Sequence, residues 1–504
     1  MLFKIGALLG YGSIILFAVA CGGTRHTYPA ATPQIETPVE AKTQAALKVT
    51  VQPTAHGLAA VTPTVASPLA TNQQRTKLEK IQPKPRPMQI GVNFIRFFFT
   101  AEESSHSETA IGTAFDHTKP DSIFGDFSDL GVHAFRQFIK ADMFWERVEP
   151  TNDDWAFTMP DQVLPNQQFE PIVTLFSLQY ASPTPPWLPN KSDFHKTLGP
   201  DAEDYLETLI DRYGEYVKYW ELGNEMGHWA GAADPRPGGK LPSHVPDDGF
   251  TPEEQGIFLK EVSEFIRARD PDAVIVLPGM GGLGTHTLDY WLTGVIKGAG
   301  GHDWFDIVNY HHYGSWQNYL KQRPLLDAAR QELGIMEKPV WLTETGSTSS
   351  GTLTIRSDYP NSEKSQSADV FRRVIQAFGH GDELVLWHTY IGSAGEENDW
   401  RDYGMRDPDG RFKPAYYSYR LLVEELIPYR EVKLLSSSPV GVNSYAIVTE
   451  DGNQKFVVWG RGLFEIPDEV EQMTSVFSED GIHRWDDVVE GSSITLSDIP
   501  VLMK

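Results

Sequence analysis

Eight short apolar segments alternate with longer amphipathic segments between residues 89 and 430, and this alternation constrains the fold most. The apolar segments have the length of β-strands and are Ile90–Ile95, His133–Phe138, Pro171–Phe176, Val217–Leu222, Ala273–Pro278, Phe305–His311, Pro339–Thr343 and Leu384–Trp387. Strands that alternate with helices pair as a parallel sheet. Eight such units in about 340 residues match a (β/α)8 TIM barrel with inserted loops. The competing fold is an open doubly wound sheet, which usually has fewer units.

The segments between these strands carry the start and stop signals of helices. Thr251 precedes Pro252 and two glutamates, which gives a capping hydroxyl, a proline in the first turn and acidic residues near the positive end of the helix dipole. The pattern predicts that this helix runs to about Arg269. Further helices are predicted over Asp201–Tyr213, Ser365–Phe378 and Pro414–Leu426.

After Pro428 the helical spacing gives way to short strands and tight turns. The predicted strands are Val432–Leu435, Tyr445–Val448, Lys455–Val458, Ser475–Phe477, Ile494–Leu496 and Pro500–Met503. Turn pairs such as Asp451-Gly452 and Asp480-Gly481 separate them. The sequence therefore predicts a small antiparallel β domain over residues 431–504, with a β-sandwich as its expected architecture.

The N-terminus carries the features of a secretory signal. Lys4 precedes an apolar run from Ile5 to Val19, and small residues then lead to Cys21. This is the one cysteine in 504 residues, so an intrachain disulfide is excluded. Its position resembles that in a bacterial lipoprotein signal, in which the cysteine becomes the lipidated first residue. The alternative is an uncleaved membrane anchor, although the apolar run is short for a spanning helix.

Residues 21–88 are rich in Pro, Thr and Ala and lack a sustained hydrophobic period, which predicts a disordered tether. The predicted organisation is a signal peptide over residues 1–20, the tether over 21–88, the barrel over 89–430 and the β domain over 431–504. A lipid anchor on Cys21 would hold the folded part at the extracellular face of the cell membrane or in the cell envelope.

Charge and motifs limit the classes of partner. The formal net charge of −25 argues against nucleic acid, whose phosphates would be repelled. Gly279–Gly284 matches G-x-G-x-x-G, but it follows the fifth strand and does not open a βαβ unit, so we interpret it as a loop at the barrel mouth. His311 and His312 lack a third ligand at metal spacing. No cofactor or metal is predicted, and the oligomeric state stays open.

Two glutamates end predicted strands that face each other across an eight-stranded ring. Glu225 closes the segment WELGNE after the fourth strand, and Glu344 closes PVWLTE after the seventh. Catalytic groups of such barrels lie at the carboxyl ends of the strands. Two carboxylates there can flank one glycosidic bond, at a separation of about 5–5.5 Å in retaining enzymes and a wider one in inverting enzymes. The sequence does not measure that separation.

These residues resemble clan A of the glycoside hydrolases, a superfamily of retaining (β/α)8 glycosidases, over about residues 89–430. The resemblance implies that Glu225 is the acid/base and Glu344 the nucleophile. It also implies contacts with the substrate or the nucleophile for Arg136, Asn224, His311, Tyr313 and Trp387. Met226 stands where many clan members have proline, so the family within the clan stays open, with families 39 and 5 as the ones that the chain resembles.

The resemblance gives each supporting residue a role. Arg136 would support the nucleophile, Asn224 would hold the sugar 2-hydroxyl, and Trp387 would form an aromatic floor under the sugar. We expect His311 or Tyr313 to point inward near the nucleophile, with the other histidine of the pair packed. The alternatives are a plain structural ion pair for Arg136 and core packing for Trp387.

The prediction is therefore a retaining glycoside hydrolase that cleaves β-linked bonds of an extracellular oligo- or polysaccharide. The alternatives are a non-catalytic glycan-binding lipoprotein, a transglycosylase with the same residues, and, more remotely, a metal-dependent hydrolase. The identity of the sugar and the choice between cutting chain ends and cutting chain interiors stay open.

Overall fold

The computed structural model describes residues 89–94, 120–137, 144–157, 160–166, 168–175, 178, 185–188, 198–226, 251–349, 362–392, 403–407, 410–437, 441–489 and 491–504. Cys21, the predicted signal peptide and the predicted tether lie outside these residues, so they stay predictions. Within the described part of the chain, no helix is both long and apolar enough to cross a membrane.

The first eight strands form one parallel sheet. They are β1 (Ile90–Phe94), β2 (Ala134–Gln137), β3 (Glu170–Thr174), β4 (Tyr219–Glu221), β5 (Val274–Val276), β6 (Val308–His312), β7 (Val340–Thr345) and β8 (Leu384–His388). Their order is β5-β4-β3-β2-β1-β8-β7-β6. Bridges between Val276 and Ile307 and between Met280 and Tyr310 join β5 to β6 and so complete the ring. The predicted (β/α)8 barrel is confirmed, with each strand at its predicted place in the sequence.

The helices that connect the strands follow the sequence signals. They span Pro120–Leu130, Trp145–Val148, Pro160–Val163, Pro200–Tyr213, Pro252–Arg269, Thr293–Gly298, Trp316–Leu333, Glu363–Gly379 and Pro414–Leu426, with a π-helical segment at His286–Leu292. Thr251 forms the predicted cap, because its hydroxyl accepts from the Glu254 backbone while the Glu254 carboxylate accepts from the Thr251 backbone. The helices Pro120–Leu130, Thr293–Gly298 and Trp316–Leu333 were not predicted.

Two apolar layers show which way the strand side chains point. A small cluster lies inside the barrel and comprises Ala134, Ile172, Val276, Ile307, Trp341, Leu384 and Leu386. The alternating partners Val385 and Trp387 belong to the larger core between the strands and the helices. Because strand side chains alternate, Leu384, Leu386 and then His388 face the interior of the barrel.

The C-terminal residues form antiparallel sheets, as predicted. The strands are β9 (Tyr429–Ser436), β10 (Asn443–Thr449), β11 (Gln454–Trp459), β12 (Gly462–Glu465), β13 (Gln472–Ser475), β14 (Asp486–Asp487), β15 (Ser493–Leu496) and β16 (Val501–Met503). Six of them pair in the order β14-β13-β16-β11-β10-β9, and β12 pairs with β15. The predicted strand Ser475–Phe477 was misplaced, because the residues that pair with β16 are Met473–Ser475.

Candidate active site

Glu225 and Glu344 converge at the carboxyl ends of the barrel strands, with His311 between them. His311 Nδ1 lies 3.1 Å from Glu225 Oε1 and 3.5 Å from Glu344 Oε2. One carboxylate oxygen of each glutamate lies within 4.8 Å of the other. The two acids expected from opposite sides of the ring therefore approach a common point.

Glu344 is buried and surrounded by donors. Arg136 Nη1 donates to its Oε1 over 2.6 Å, and the Tyr313 hydroxyl donates to its Oε2. Burial alone would raise the pKa of Glu344, but His311 and His388, when protonated, Arg136 and the Tyr313 hydroxyl lower this pKa to about 2. Arg136 is the partner that stays charged at every relevant pH. Glu344 is therefore ionised at neutral pH.

Arg136 is fully buried and donates hydrogen bonds to three residues of the site. Its Nε and Nη2 donate to the two oxygens of Glu221 over 2.5 and 2.8 Å, and its Nη2 also donates to Asn224 Oδ1 over 2.7 Å. Burial opposes the charge, but Glu221 and Glu344 raise the pKa of Arg136. The guanidinium thus fixes Glu344 and Asn224 in one geometry, because its planar fork holds several acceptors at once.

Glu221 was not predicted as a site residue. It is fully buried and accepts from Arg136, Thr174, Gly279 and Asn309. The signal was present, since a carboxylate inside an apolar strand is costly without partners.

The backbone at the end of β4 presents Glu225 to the cavity. Gly223 has a φ of 122° and Glu225 has a φ of 49°. Residues other than glycine rarely adopt a positive φ. Such strain concentrates at functional sites. The Glu225 side chain keeps 21% of its surface exposed, against 5% for Glu344. Glu225 is thus the acid that solvent or a leaving group reaches more easily.

A register shift places His311 and Glu344 side by side. Tyr310 pairs with Leu342, whereas His311 pairs with Glu344, so Thr343 is an extra residue on β7. His311 consequently touches Thr343 through Nε2, at 3.2 Å, and both catalytic candidates through Nδ1. Bulges of this kind often occur beside active sites, where they redirect a side chain.

The structure separates the two neighbouring histidines as expected. His311 and Tyr313 both reach the site, while His312 packs against the Tyr319 ring at 5.1 Å. Burial and the charge of Arg373 lower the pKa of His312 to about 3, so it is neutral at pH 7. Of the two histidines, His311 is the one that faces the carboxylates.

Trp387 does not reach the site. It is fully buried in the core between strands and helices, so the expected aromatic floor at this position was wrong. The strand phase instead turns His388 inward, 3.9 Å from Glu344 Oε2. The ring of Tyr313 packs against His388 at 5.5 Å and against Tyr403 at 5.6 Å. The prediction failed because it fixed the strand but not which of its last residues faces the cavity.

Gly279 makes room for this arrangement. Its backbone N–H donates to Glu221 Oε1 over 3.1 Å, and a Cβ there would lie 2.2 Å from His311 Nε2. The first glycine of the G-x-G-x-x-G match therefore serves close packing against the barrel site, in the loop after β5 where we expected a loop.

Distance alone would allow a cation among Glu225, His311 and Glu344. Glu344 already accepts from Arg136 on one oxygen and from Tyr313 on the other. The positive charge of Arg136 thus occupies the electrostatic role that a metal would have, and the donor set fits acid–base chemistry better.

Comparison with solved structures gives the same fold, although no family model and no curated protein matches the sequence. A family 39 glycoside hydrolase from Bacteroides cellulosilyticus WH2 superposes with a TM-score of 0.55 at 17% identity, over 83% of this chain and 81% of that chain. A glucosidase from Croceicoccus marinus and an α-L-arabinofuranosidase from Thermotoga maritima each give a TM-score of 0.51 at 13% identity, over 83% of this chain and 96% of theirs. At these identities the likeness establishes the fold that this chain shares with glycosidases.

Proposed function

We propose that this chain is a retaining glycoside hydrolase that cleaves β-glycosidic bonds of an extracellular oligo- or polysaccharide. The observation that carries the proposal is that one carboxylate oxygen of Glu225 lies within 4.8 Å of one of Glu344, with the two acids in different environments. Retaining enzymes hold their two carboxyl groups about 5–5.5 Å apart, while inverting enzymes leave a wider gap for a water molecule. The names of the structural neighbours support the same class of reaction.

In the first step, an oxygen of Glu344 attacks the anomeric carbon of the sugar. The bond to the leaving oxygen breaks, and Glu225 gives that oxygen its proton. Glu344 suits this role because Arg136, which stays charged, and the Tyr313 hydroxyl help to lower its pKa and orient its two oxygens, so it is ionised at neutral pH. Burial and nearby Glu344 raise the pKa of Tyr313 well above its usual value, so its hydroxyl remains a donor.

In the second step, water attacks the same carbon and the bond to Glu344 breaks. Glu225 now takes a proton from the water, which restores both residues. Two carboxylates at this separation repel each other when both are ionised. Esterification of Glu344 removes its charge, so Glu225 can be ionised in the intermediate without that repulsion.

The same residues would serve a transglycosylase, in which a sugar hydroxyl replaces water. A non-catalytic glycan-binding protein would not need a buried Arg136 to hold an ionised Glu344 beside a second acid. The geometry therefore favours an enzyme over a binding module.

We propose further that a lipid on Cys21 anchors the enzyme at the outer face of the cell membrane. The support is the sequence pattern of residues 1–21. Detergent phase partition of the natural chain and of Cys21→Ser tests this directly. Equal partition of both into the aqueous phase would contradict the anchor.

A panel of aryl glycosides tests the activity. It should contain β-linked glucosides, galactosides, mannosides and xylosides together with an α-L-arabinofuranoside, and Glu344→Ala is the blank. We expect turnover of at least one β-linked member by the natural chain and none by the blank. Turnover by both would remove Glu344 from the mechanism, and turnover of the arabinofuranoside alone would overturn the β-linkage.

A further inference from the structure

A chain of hydrogen bonds runs from Glu221 to Glu225, and its direction can be worked out atom by atom. Glu221 is the fixed end because its oxygens meet donors: two nitrogens of Arg136, the Thr174 hydroxyl, the Gly279 N–H and an amide nitrogen of Asn309. A carboxylate in such surroundings can only accept. Every bond further along the chain must therefore point towards it.

Asn309 and Thr343 transmit this direction. Asn309 Nδ2 donates to Glu221 Oε1 over 2.8 Å, so the amide oxygen faces Thr343. The Thr343 hydroxyl donates to that oxygen over 2.7 Å. A hydroxyl carries one hydrogen, so Thr343 Oγ1 can meet its other neighbour only as an acceptor.

That other neighbour is His311 Nε2, at 3.2 Å. Since Thr343 has no hydrogen left, Nε2 must carry one. A neutral imidazole bears a single hydrogen, so Nδ1 then presents a lone pair. Nδ1 lies 3.1 Å from Glu225 Oε1, and two lone pairs cannot form a hydrogen bond. A single proton therefore lies between His311 Nδ1 and Glu225 Oε1.

We propose that His311 is a positioning residue that stores the catalytic proton on Glu225, because the chain Glu221–Asn309–Thr343 holds it as the Nε2-protonated tautomer. The inference rests on the proposed function of Glu225 as acid/base. In the empty site the hydrogen on Oε1 points to Nδ1. When the leaving oxygen approaches, that hydrogen turns from Nδ1 to the substrate, and the proton taken from water in the second step restores the pair.

Other charged groups of the described residues face this pair. Glu344 Oε2 lies 3.5 Å from Nδ1, but the Tyr313 hydroxyl already donates to that oxygen. His388 Nδ1 lies 3.9 Å from the same oxygen, and Arg136 Nη1 donates to Glu344 Oε1. Burial, partly offset by Glu344, lowers the pKa of His388 to about 4, so it is neutral at pH 7. Glu225 is thus the partner left for the Nδ1 lone pair.

The tautomer is measured by NMR on full-length protein with ¹⁵N-labelled histidine, with His311→Gln identifying the signals. We expect a protonated Nε2 at pH 7 in the natural chain, whether or not any substrate is turned over. A His311 with a hydrogen on Nδ1, whether neutral or doubly protonated, would overturn the proposal. This readout is independent of activity, so it is distinguishable from a failure of the proposed function.

The chain also offers matched variants. Thr343→Val removes the acceptor for Nε2, Thr343→Ser keeps it, and Thr345→Val removes a hydroxyl of the same strand that donates to His312 O instead. We expect Thr343→Val to lose roughly tenfold in kcat and its activity to decline at a lower pH on the alkaline side. Thr343→Ser and Thr345→Val should keep the natural profile. An unchanged profile in a folded Thr343→Val would overturn the proposal.

Discussion

Arg136 and Arg323 are two fully buried arginines that pair with carboxylates, and their surroundings differ. Arg136 lies inside the barrel between Glu221 and Glu344, with Asn224 as a further acceptor. Arg323 lies between the strands and the helices, where its Nε and Nη2 donate to Asp382 over 3.0 and 2.7 Å. Both arginines are fully buried.

The two clusters have a different balance of charge. Arg323 pairs with the fully buried Asp382 and with the partly exposed Asp327, which also pairs with Arg330, so two acids face two arginines. The other donors to Asp382 are the neutral hydroxyls of Tyr310 and Tyr319. Arg136 faces two buried carboxylates, and Glu225 adds a third within 4.8 Å of Glu344. A balanced cluster away from the cavity serves stability, whereas a surplus of negative charge beside a cavity serves chemistry.

Removal of Glu344 should give the largest effect on activity with the least on stability. Glu344→Ala leaves Arg136 paired with Glu221, so no buried charge is left without a partner. We expect turnover to fall by about 10⁴-fold or more, while the unfolding midpoint in urea stays nearly the same. A large loss of stability in this variant would contradict the comparison, because it would show that the Arg136 cluster also stabilises the fold.

Removal of Asp382 should lower stability strongly and change activity little. Asp382→Ala removes the buried acid that Arg323 shares with two tyrosine hydroxyls, and it leaves Arg323 with the partly exposed Asp327 as its carboxylate partner. Loss of one partner of a buried ion pair costs about 3–5 kcal/mol of unfolding free energy. Turnover per folded molecule should change little, as measured by active-site titration of the folded fraction. A stable but inactive Asp382→Ala would contradict the comparison.

Low pH should lower the free energy of unfolding through His312. Its pKa is about 3 in the fold against an ordinary value of 6.5, because burial and Arg373 disfavour the proton. The unfolded chain therefore binds the proton more readily below pH 6.5, and stability falls as the pH drops from 6.5 towards 3. Between pH 6.5 and 5 this group should cost about 2 kcal/mol. His312→Gln should show a correspondingly smaller loss in urea titrations at the two pH values, and an equal loss would contradict the assignment.

The sequence predicts those features that depend on local pattern. Eight apolar runs separated by helix signals sufficed for the barrel, and Glu225 and Glu344 each ended a recognisable strand. The cap at Thr251 was equally local, since its partner Glu254 lies one helical turn away.

The errors lie where tertiary contacts decide. Whether Trp387 or His388 faces the cavity depends on strand phase, which a fully apolar strand does not reveal because both of its faces are buried. The bulge at Thr343 arises from the pairing of β7 with β6, so no sequence pattern within β7 predicts it. Glu221 acquires its role only when Arg136, Asn309 and Gly279 meet around it.

The central claim is that Glu344 bonds to the sugar carbon and is then displaced by water, while Glu225 donates and takes back the proton. The most direct test follows the first-formed product of a reactive β-glycoside by ¹H NMR, before the free sugar equilibrates. The carboxylate approach of 4.8 Å or less predicts that the β-anomer appears first. Initial release of the α-anomer would contradict the double displacement and the roles of Glu225 and Glu344 in it.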